Sequence, residues 1–430
     1  MESQSARSPV ASHHSLLIAG TVTVVGFLAT TLAQPRVLVH IPLQNLLKNV
    51  LHTDRSTNAA FFFWIGLPWY IKPLLGVLSD ACPLFGSRRK SYILIGSLAA
   101  MAAWCSLITA AHSYSELLII CLVANLATVV TSTALGGYMV EMARATVGAG
   151  RLTSLRNLAM QFAYLVAGPA GGFLGAVSLE WSALACCATA FLVVPTAWWL
   201  VREPYRQRAS TGLLRDMGQE LRGMARARTV WAAAGLAALF YIAPGLNTAL
   251  FYLQQNTLHL GTQEQGYLVF LNAGGGMAAA VLYGFFAARR LSLRSLLCGC
   301  LFFSAVVTLG YLFYDSYVQA QLIEALNGAG TTLGEIAVMH LAVRATPAGS
   351  EALGFAILMA VRNFFMWGSD WLGSALIEVL HIHFSTLVYI NAATTLLAVP
   401  LALALPKVLL TARDSPIEAA QGTRKRISSV

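Results

Sequence analysis

Residues 68–90 read PWYIKPLLGVLSDACPLFGSRRK, and this stretch decides the fold. It is apolar apart from Lys72 until it reaches Asp80, and a Pro/Gly turn then leads to three successive cations at residues 88–90. An apolar run that ends in a short basic loop is typical of a membrane helix reaching the cytoplasm, where loops are rich in Lys and Arg. The stretch therefore predicts a membrane-spanning helix and the direction in which it runs.

The rest of the chain repeats this apolar pattern. Of its 430 residues, 57% are hydrophobic and only 11% are charged, whereas soluble proteins average about 25% charged residues. Apolar stretches long enough to cross a bilayer recur to the end of the chain, which indicates a polytopic membrane protein. We predict an all-α protein with twelve spans, at residues 16–50, 58–79, 91–111, 114–142, 153–177, 181–201, 229–255, 265–288, 295–314, 317–343, 352–380 and 384–410.

The first predicted span is longer than one bilayer requires. It is either one tilted helix bent at Pro35 and Pro42, or a span ending near Gln34 that is followed by an interfacial helix. The sequence leaves both readings open and slightly favours the kinked helix.

The basic residues give the orientation and the domain organisation. With the N-terminus inside, most of the 28 Lys and Arg residues fall in cytoplasmic segments, so the net charge of +10 is mainly a topology signal, with contact to anionic lipid as a secondary use. The longest polar loop lies between two sets of six spans. We predict a cytoplasmic tail (1–15), a six-helix bundle (16–201), a cytoplasmic linker (202–228), a second six-helix bundle (229–410) and a basic tail (411–430).

Charged and polar side chains inside the spans are the best candidates for a substrate site, because ionisable groups in hydrocarbon are costly. Arg36, His40 and Gln44 share one helix face by their spacing. They form either a cavity wall for an anionic or heteroaromatic solute or the polar face of an interfacial helix. Lys72 either lines the pathway or snorkels to the inner surface.

The second half of the chain adds further candidates. Asn247 follows a Pro-Gly break in the seventh span, and Arg362 and Asn363 lie deep in the eleventh. Two buried acids, Glu335 and Asp370, are candidates for protonation, and His40 could also titrate. Alternatively, the buried cation and acids pair structurally.

The ends of several spans carry the candidate gating residues. Asp80 and Glu141 end spans at the predicted cytoplasmic side, where hinge salt bridges to loop arginines are expected. The candidate gating set is Asp80, Arg88, Arg89, Glu141 and Arg144.

Two motifs resemble a known superfamily. Gly76-Val-Leu-Ser-Asp80 with the basic turn after it resembles the loop motif between the second and third spans of the major facilitator superfamily. Gly168-Pro-Ala-Gly-Gly172 resembles a motif of that superfamily's antiporter branch, and ordinary small-residue packing explains it equally.

A narrower resemblance rests on the longer string from Pro68 to Tyr92 and on residues 47–51, 241–252 and 345–363, which are similar to the folate–biopterin transporter family. One departure concerns the fourth span. That family commonly has Asp residues there, whereas Ser132 and Gly136 stand at the matching positions of this chain. The resemblance implies the major facilitator fold and proton-coupled movement of folates or pterins, and the missing acids put proton coupling and pterin recognition in doubt.

We therefore predict a secondary active transporter for an anionic folate- or pterin-like solute, working by alternating access. Arg36, Lys72 and Arg362 would attract the anion, and rings such as Tyr70 and Tyr241 could stack on it. The alternatives are a proton-driven exporter of another small organic molecule and a non-transporting membrane receptor.

The remaining expectations concern chemistry and partners. The sequence has no nucleophile motif, phosphate loop or paired cysteine spacing, so we expect neither an enzyme nor a cofactor or metal. We expect a monomer in contact with membrane lipid, no nucleic-acid partner, a bacterial inner-membrane location and cytoplasmic termini.

Overall fold

The computed structural model describes residues 9–109, 113–146, 149–203, 228–284, 291–345 and 351–405. Within these ranges the chain is helical apart from turns and short irregular segments, and it forms no named strand. The predicted all-α fold class is therefore confirmed. Some predicted features lie outside the described part. They are most of the predicted linker (residues 204–227), the basic tail (411–430) and the side chains of Asp80 and Arg144.

The described helices follow the predicted spans in order, and each predicted span overlaps at least one of them. The N-terminal half (residues 9–203) contains α1 (Pro9–Leu32), α2 (His40–Asn49), α3 (Arg55–Ile65), α4 (Leu67–Tyr70), α5 (Lys72–Ala81), α6 (Lys90–Thr109), α7 (Tyr114–Thr146), α8 (Ala149–Ala176) and α9 (Leu179–Leu200). The C-terminal half (residues 228–405) contains α10 (Arg228–Tyr241), α11 (Asn247–Asn256), α12 (Thr262–Leu282), α13 (Leu293–Thr308), a 3₁₀ helix (Leu309–Phe313), α14 (Tyr317–Ala345), α15 (Glu351–Leu380) and α16 (Phe384–Ala404).

Eight of the described helices are long and apolar enough to cross a membrane. The predicted second, seventh, tenth and eleventh spans fall short of that criterion. The second and seventh are divided into shorter helices, and the tenth and eleventh carry ionisable residues. These four are the spans in which the sequence departs most from a plain apolar helix, and they contribute most of the site described below.

The first span is broken rather than smoothly kinked. Residues 33–39 are non-helical, which fits Pro35 because proline lacks an N–H and disfavours helical geometry in the residue before it. The following α2 is not interfacial, since it contributes Leu43 and Leu47 to a buried core with residues of α3, α6, α7 and α9. The structure thus differs from both readings of the sequence.

Neighbouring helices satisfy the backbone groups that these breaks free. The indole of Trp104 donates to the carbonyl of Ala33 at 3.1 Å, and Asn125 donates to the carbonyl of Ile65 in the second span. In the seventh span, Asn391 donates to the carbonyl of Pro244 at 2.8 Å. Broken helices are tolerated at membrane depth only when neighbours replace the lost bonds in this way.

Each half has its own apolar core. The buried clusters draw either on residues of the N-terminal half alone or on residues of the C-terminal half alone. Burial therefore stabilises each half internally, and a smaller set of contacts joins the two.

Polar contacts between the halves concentrate at one end of the molecule, which we call the closed end. There, Lys48 donates to Gln255 at 2.8 Å and to Asn256 at 2.6 Å. Arg55 pairs with Glu378 at 3.2 Å. Helix α8 packs along α12 toward the same end, where their glycines allow close backbone approach.

We call the opposite end the open end. On the side toward it, the faces of α8 and α12 that carry these glycines are exposed. Tyr164 precedes Gly168 by four residues on α8 and is 40% exposed. Met277 follows Gly266 by eleven residues, about three turns, on α12 and is also 40% exposed. Exposure of both side chains shows that the close contact of α8 with α12 does not extend over these positions.

Candidate functional site

Arg36 lies at the break in the first span and contacts the C-terminal half. Its guanidinium carbon lies 3.0 Å from the ring centroid of Trp367 in α15 and 5.9 Å from that of Phe62. All three guanidinium nitrogens are buried, and the polar groups that face them are the Tyr70 hydroxyl and the carboxylate of Asp370. A buried cation with so few partners for its five N–H groups is costly, and this arrangement suits recognition of an anion with a flat ring nearby.

His40 and Gln44 continue the same face into α2. The ring of His40 packs 4.5 Å from that of Phe62, and its Nδ1 has no hydrogen-bond partner in the described part of the chain. The Gln44 side chain is buried, and its Nε2 is likewise unpartnered there. The predicted set of Arg36, His40 and Gln44 is therefore brought together as a row of buried polar groups.

Arg362 and Glu335 form an ion pair between α15 and α14. Arg362 also donates to Asn363 at 2.9 Å, and its guanidinium carbon lies 5.5 Å from the ring centroid of Tyr241. The Arg362 side chain is 14% exposed and that of Glu335 is 38% exposed. Tyr164 of the N-terminal half is 40% exposed and is an electrostatic neighbour of the pair. The pair therefore borders the space that opens between the halves.

Asp370 caps the second part of the broken seventh span. Its carboxylate accepts from the N–H of Thr248 at 3.0 Å and from the Thr248 hydroxyl at 2.7 Å. An acid at a helix N-terminus satisfies free N–H groups and complements the helix dipole. Arg36 is an electrostatic neighbour of Asp370. Asn247, at the first position of α11, has an exposed side chain.

Lys72 lies in a separate polar group within the N-terminal half. Its ammonium donates to Ser132 at 3.2 Å and lies 4.4 Å from the ring centroid of Trp69. The Trp69 indole in turn donates to Asn125 at 3.1 Å. Ser132, which stands where the similar family commonly has an acid, is thus the hydrogen-bond partner of Lys72.

An aromatic cluster joins the halves beside Arg36. Phe63 lies 5.3 Å from Trp371 and 5.7 Å from Phe364, measured between ring centroids. Tyr70 lies 5.6 Å from both Phe63 and Phe364. The rings of α3 and α4 therefore pack on those of α15, so α15 supplies both the charged and the aromatic side chains of the site.

The basic turn after α5 is held entirely within the N-terminal half by the contacts described. Arg89 is buried and donates to Glu141 at 3.0 and 3.1 Å and to Ser79 at 3.2 Å. Glu203 accepts from the N–H groups of Arg89 and Lys90 at 3.0 and 3.2 Å and from the Ser87 hydroxyl. Of the other candidate gating residues, Arg88 has a buried Nε without a partner among the described residues.

Gly137 makes room for Arg89, which leads to a testable prediction. A Cβ atom added at Gly137 would lie 2.6 Å from Arg89 Nε, whereas one added at Gly136 would meet nothing within 4 Å. Gly137→Ala should therefore displace the guanidinium and destabilise the protein by about 1–3 kcal/mol. Gly136→Ala should be neutral or slightly stabilising, because alanine favours helix more than glycine.

Thermal unfolding of the two purified variants beside the unaltered protein measures this difference. A lower melting temperature in Gly137→Ala alone is expected. Equal melting temperatures in both variants would contradict the role assigned to Arg89.

Several residues with polar or cation–aromatic contacts, in the site and outside it, were not identified from the sequence. Trp367, Glu203 and Glu324 all contribute polar or cation–aromatic contacts, yet each lies in a run whose other residues look like ordinary membrane helix or loop. Of these three residues, Glu324 is the one that the sequence could have indicated, because it is an acid within an apolar span.

Comparison with known proteins assigns the chain to a family. The model of the BT1 family matches residues 35–423. The chain belongs to the BT1 family. A folate-biopterin transporter of Synechocystis sp. is 29% identical over 396 residues, which cover 84% of this chain and 77% of that protein. This confirms the resemblance drawn from the motifs.

Solved structures agree on the fold of this BT1 family member. A D-xylose-proton symporter superposes with a TM-score of 0.70 at 15% identity, covering 91% of this chain and 98% of that one. The POT family transporter PepTSo gives a TM-score of 0.67 at 13% identity, covering 90% and 97%. The chain therefore has the major facilitator fold. It is an integral, multi-pass membrane transporter for a small molecule and not an enzyme, as expected.

Proposed function

We propose that this protein moves an anionic, folate- or pterin-like solute across the membrane by alternating access, coupled to protons. The observation that carries the proposal is Arg36, a buried guanidinium that lies against Trp367 between the two halves and has few polar neighbours for its N–H groups. Folates combine a flat heteroaromatic ring with carboxylates, and a cation among aromatic rings can recognise both features.

The arrangement of the halves supports alternating access. One state of such a cycle requires contacts between the halves at one end and exposed helix faces at the other. The structure has such contacts at the closed end and exposed side chains on the side of the open end. With the N-terminus and the basic turn at residues 88–90 in the cytoplasm, the open end faces inward. We place the protein in a bacterial inner membrane with both termini cytoplasmic, as a monomer in contact with lipid and without a nucleic-acid partner.

Uptake into proteoliposomes tests the proposal. Purified protein should accumulate radiolabelled folic acid or biopterin when the inside-to-outside pH difference favours proton entry, and unlabelled folate should compete. Arg36→Ala should weaken uptake about 10- to 100-fold, because losing a hydrogen bond to a charged group costs about 1.5–3 kcal/mol. Arg151→Ala is the matched control, since Arg151 is exposed. Uptake that is insensitive to folate and pterin competitors would refute the assigned solute.

The same vesicles separate the alternatives. Net movement of solute only outward, with no inward accumulation, would favour a proton-driven exporter. Binding of folic acid in a thermal-shift assay without any counterflow would indicate a receptor. The glycine-rich motif at residues 168–172 does not favour the exporter, because Gly168 and Gly172 pack against Gly266 in the contact between halves.

A further inference from the structure

Glu324 is a buried carboxyl group that the site described above does not use. It lies in α14, seven residues after Tyr317 and eleven before Glu335, and is 5% exposed. At 1.5 Å per residue, it is about 10 Å along the helix from Tyr317 and about 16 Å from Glu335. It is therefore a separate acid nearer the closed end.

Its hydrogen-bond partners are all neutral. Glu324 accepts from the amide of Asn272 at 2.9 Å, from the Tyr314 hydroxyl at 3.1 Å and from the Tyr311 hydroxyl at 3.4 Å. These partners come from α12, the 3₁₀ helix and the turn after it. Among the described residues no Lys, Arg or His is an electrostatic neighbour of Glu324, and the titratable groups that face it are the two tyrosines.

The other two intramembrane acids differ in this respect. Glu335 is paired with Arg362, and Asp370 caps α11 with Arg36 as an electrostatic neighbour. A cation nearby favours the charged form of a carboxyl group, whereas burial among neutral groups favours the neutral form. Among these three acids, Glu324 is the one whose charge no neighbouring cation compensates. Protonation of Glu324 therefore removes a costly buried charge.

Glu324 is also linked to the contact between the halves. The Tyr314 hydroxyl, which donates to Glu324, accepts from Gln254 of α11 at 2.8 Å. The next residue, Gln255, accepts from Lys48 of the N-terminal half. Glu324 is thus two hydrogen bonds and one peptide unit away from the polar contacts of the closed end.

We propose that Glu324 is the site that binds and releases the transported proton, which extends the proton coupling of the proposed function and rests on it. A hydronium ion gives its proton to the carboxylate oxygen that faces Tyr314 and leaves as water. That oxygen then donates to the Tyr314 hydroxyl instead of accepting from it, so the Tyr314 oxygen accepts from both Glu324 and Gln254 and its bond with Gln254 is rearranged. Protonation thereby acts on α11, whose end holds Lys48 in the closed state.

Glu324→Gln tests the proposal, because glutamine keeps the shape of the neutral acid and cannot release a proton. In proteoliposomes with folic acid or biopterin as probe, exchange across the membrane without a pH gradient should stay at the unaltered rate. Accumulation driven by a pH gradient should fall to the equilibrium level. The matched control is Glu116→Gln, since Glu116 is an exposed acid at the start of α7, and it should leave both activities unchanged.

Infrared difference spectroscopy gives a readout that needs no solute. All carboxyl groups contribute protonated-carboxyl absorption on acidification, and the spectrum of the unaltered protein minus that of Glu324→Gln should contain a band from Glu324. Glu116→Gln should keep that band. If the unaltered protein transports neither probe, the solute assignment fails and this band alone decides the proton site. Should Glu324→Gln not fold, Tyr314→Phe should shift the frequency of the same band because it removes one donor.

Three results would overturn the proposal. The first is normal pH-driven accumulation by Glu324→Gln. The second is loss of exchange together with accumulation in a folded Glu324→Gln variant, which would assign the residue a packing role. The third is an infrared titration that is identical in the unaltered protein and in the Glu324 or Tyr314 variant.

Discussion

Arg362→Ala should reduce uptake of the proposed solute, folic acid or biopterin, by about 10- to 100-fold, the effect of losing a hydrogen bond to a charged group. It also destabilises the protein, because Glu335 loses the cation that compensates it. Removing one partner of a buried pair costs about 3–5 kcal/mol, and we expect the lower end because the Glu335 side chain is 38% exposed. Uptake in proteoliposomes and thermal unfolding measure the two effects separately.

A double variant separates the structural role of the pair from its role in transport. Arg362→Ala combined with Glu335→Ala leaves no unpaired charge, so the melting temperature should return most of the way to that of the unaltered protein. Uptake should stay low if Arg362 contacts the solute. Recovery of uptake in the double variant would instead show that the pair has a structural role only.

A more exposed ion pair between helices is the matched control. Arg55 and Glu378 also join two helices, with side chains 33% and 35% exposed. Exposed pairs contribute about 0–1 kcal/mol, so Arg55→Ala should change the melting temperature little. An equal loss of stability in Arg55→Ala and Arg362→Ala would contradict the distinction drawn from their burial.

The sequence predicted most of the fold because the signals are local. Apolar runs of bilayer length place the helices, and prolines and glycines mark where the helices break, as at Pro35 and at Pro244. What the sequence left open is how a broken segment packs. The burial of α2 depends on Leu43 and Leu47 meeting α3, α6, α7 and α9, which no local pattern specifies.

For the candidate site, too, the sequence indicates single residues but not how they pack together. Ionisable residues in apolar spans can be read from the chain, and Arg36, Arg362 and Asp370 were all found in this way. Their partners could not be found, because Trp367 lies more than 300 residues from Arg36 and is one of nine tryptophans in an aromatic-rich chain. The role of Asp370 as a cap likewise required knowing that α11 begins beside it.

Gly266→Val keeps the two halves from meeting at the closed end. A Cβ atom added at Gly266 would contact the Gly168 carbonyl and lie 2.8 Å from the Gly172 Cα, both backbone atoms of the other half. Backbone cannot yield as a flexible side chain can, and overpacking costs about 1–3 kcal/mol or more. A penalty of that size on the closed state lowers its population about 5- to 150-fold relative to the opposite state.

Cross-linking across the closed end measures that population. In the unaltered protein the Asn49 amide lies 3.3 Å from the Gln255 side-chain oxygen, so a short bifunctional thiol reagent should cross-link Asn49→Cys to Gln255→Cys, and mass spectrometry detects the product. Adding Gly266→Val should reduce its yield and abolish net uptake. Gly274→Val is the matched control in the same helix, since an added Cβ there meets nothing within 4 Å, and its cross-linking should be unchanged.

The comparison of these two glycines bears directly on how the halves move. If α8 and α12 were a fixed hinge, a bulky residue at Gly266 would destabilise the fold and leave the closed end cross-linkable in whatever protein survives. If they separate during transport, the variant folds normally in its opposite state and only the closed-end cross-link is lost. Normal melting with lost cross-linking therefore supports alternating access, whereas cross-linking and uptake at unaltered levels in Gly266→Val would contradict it.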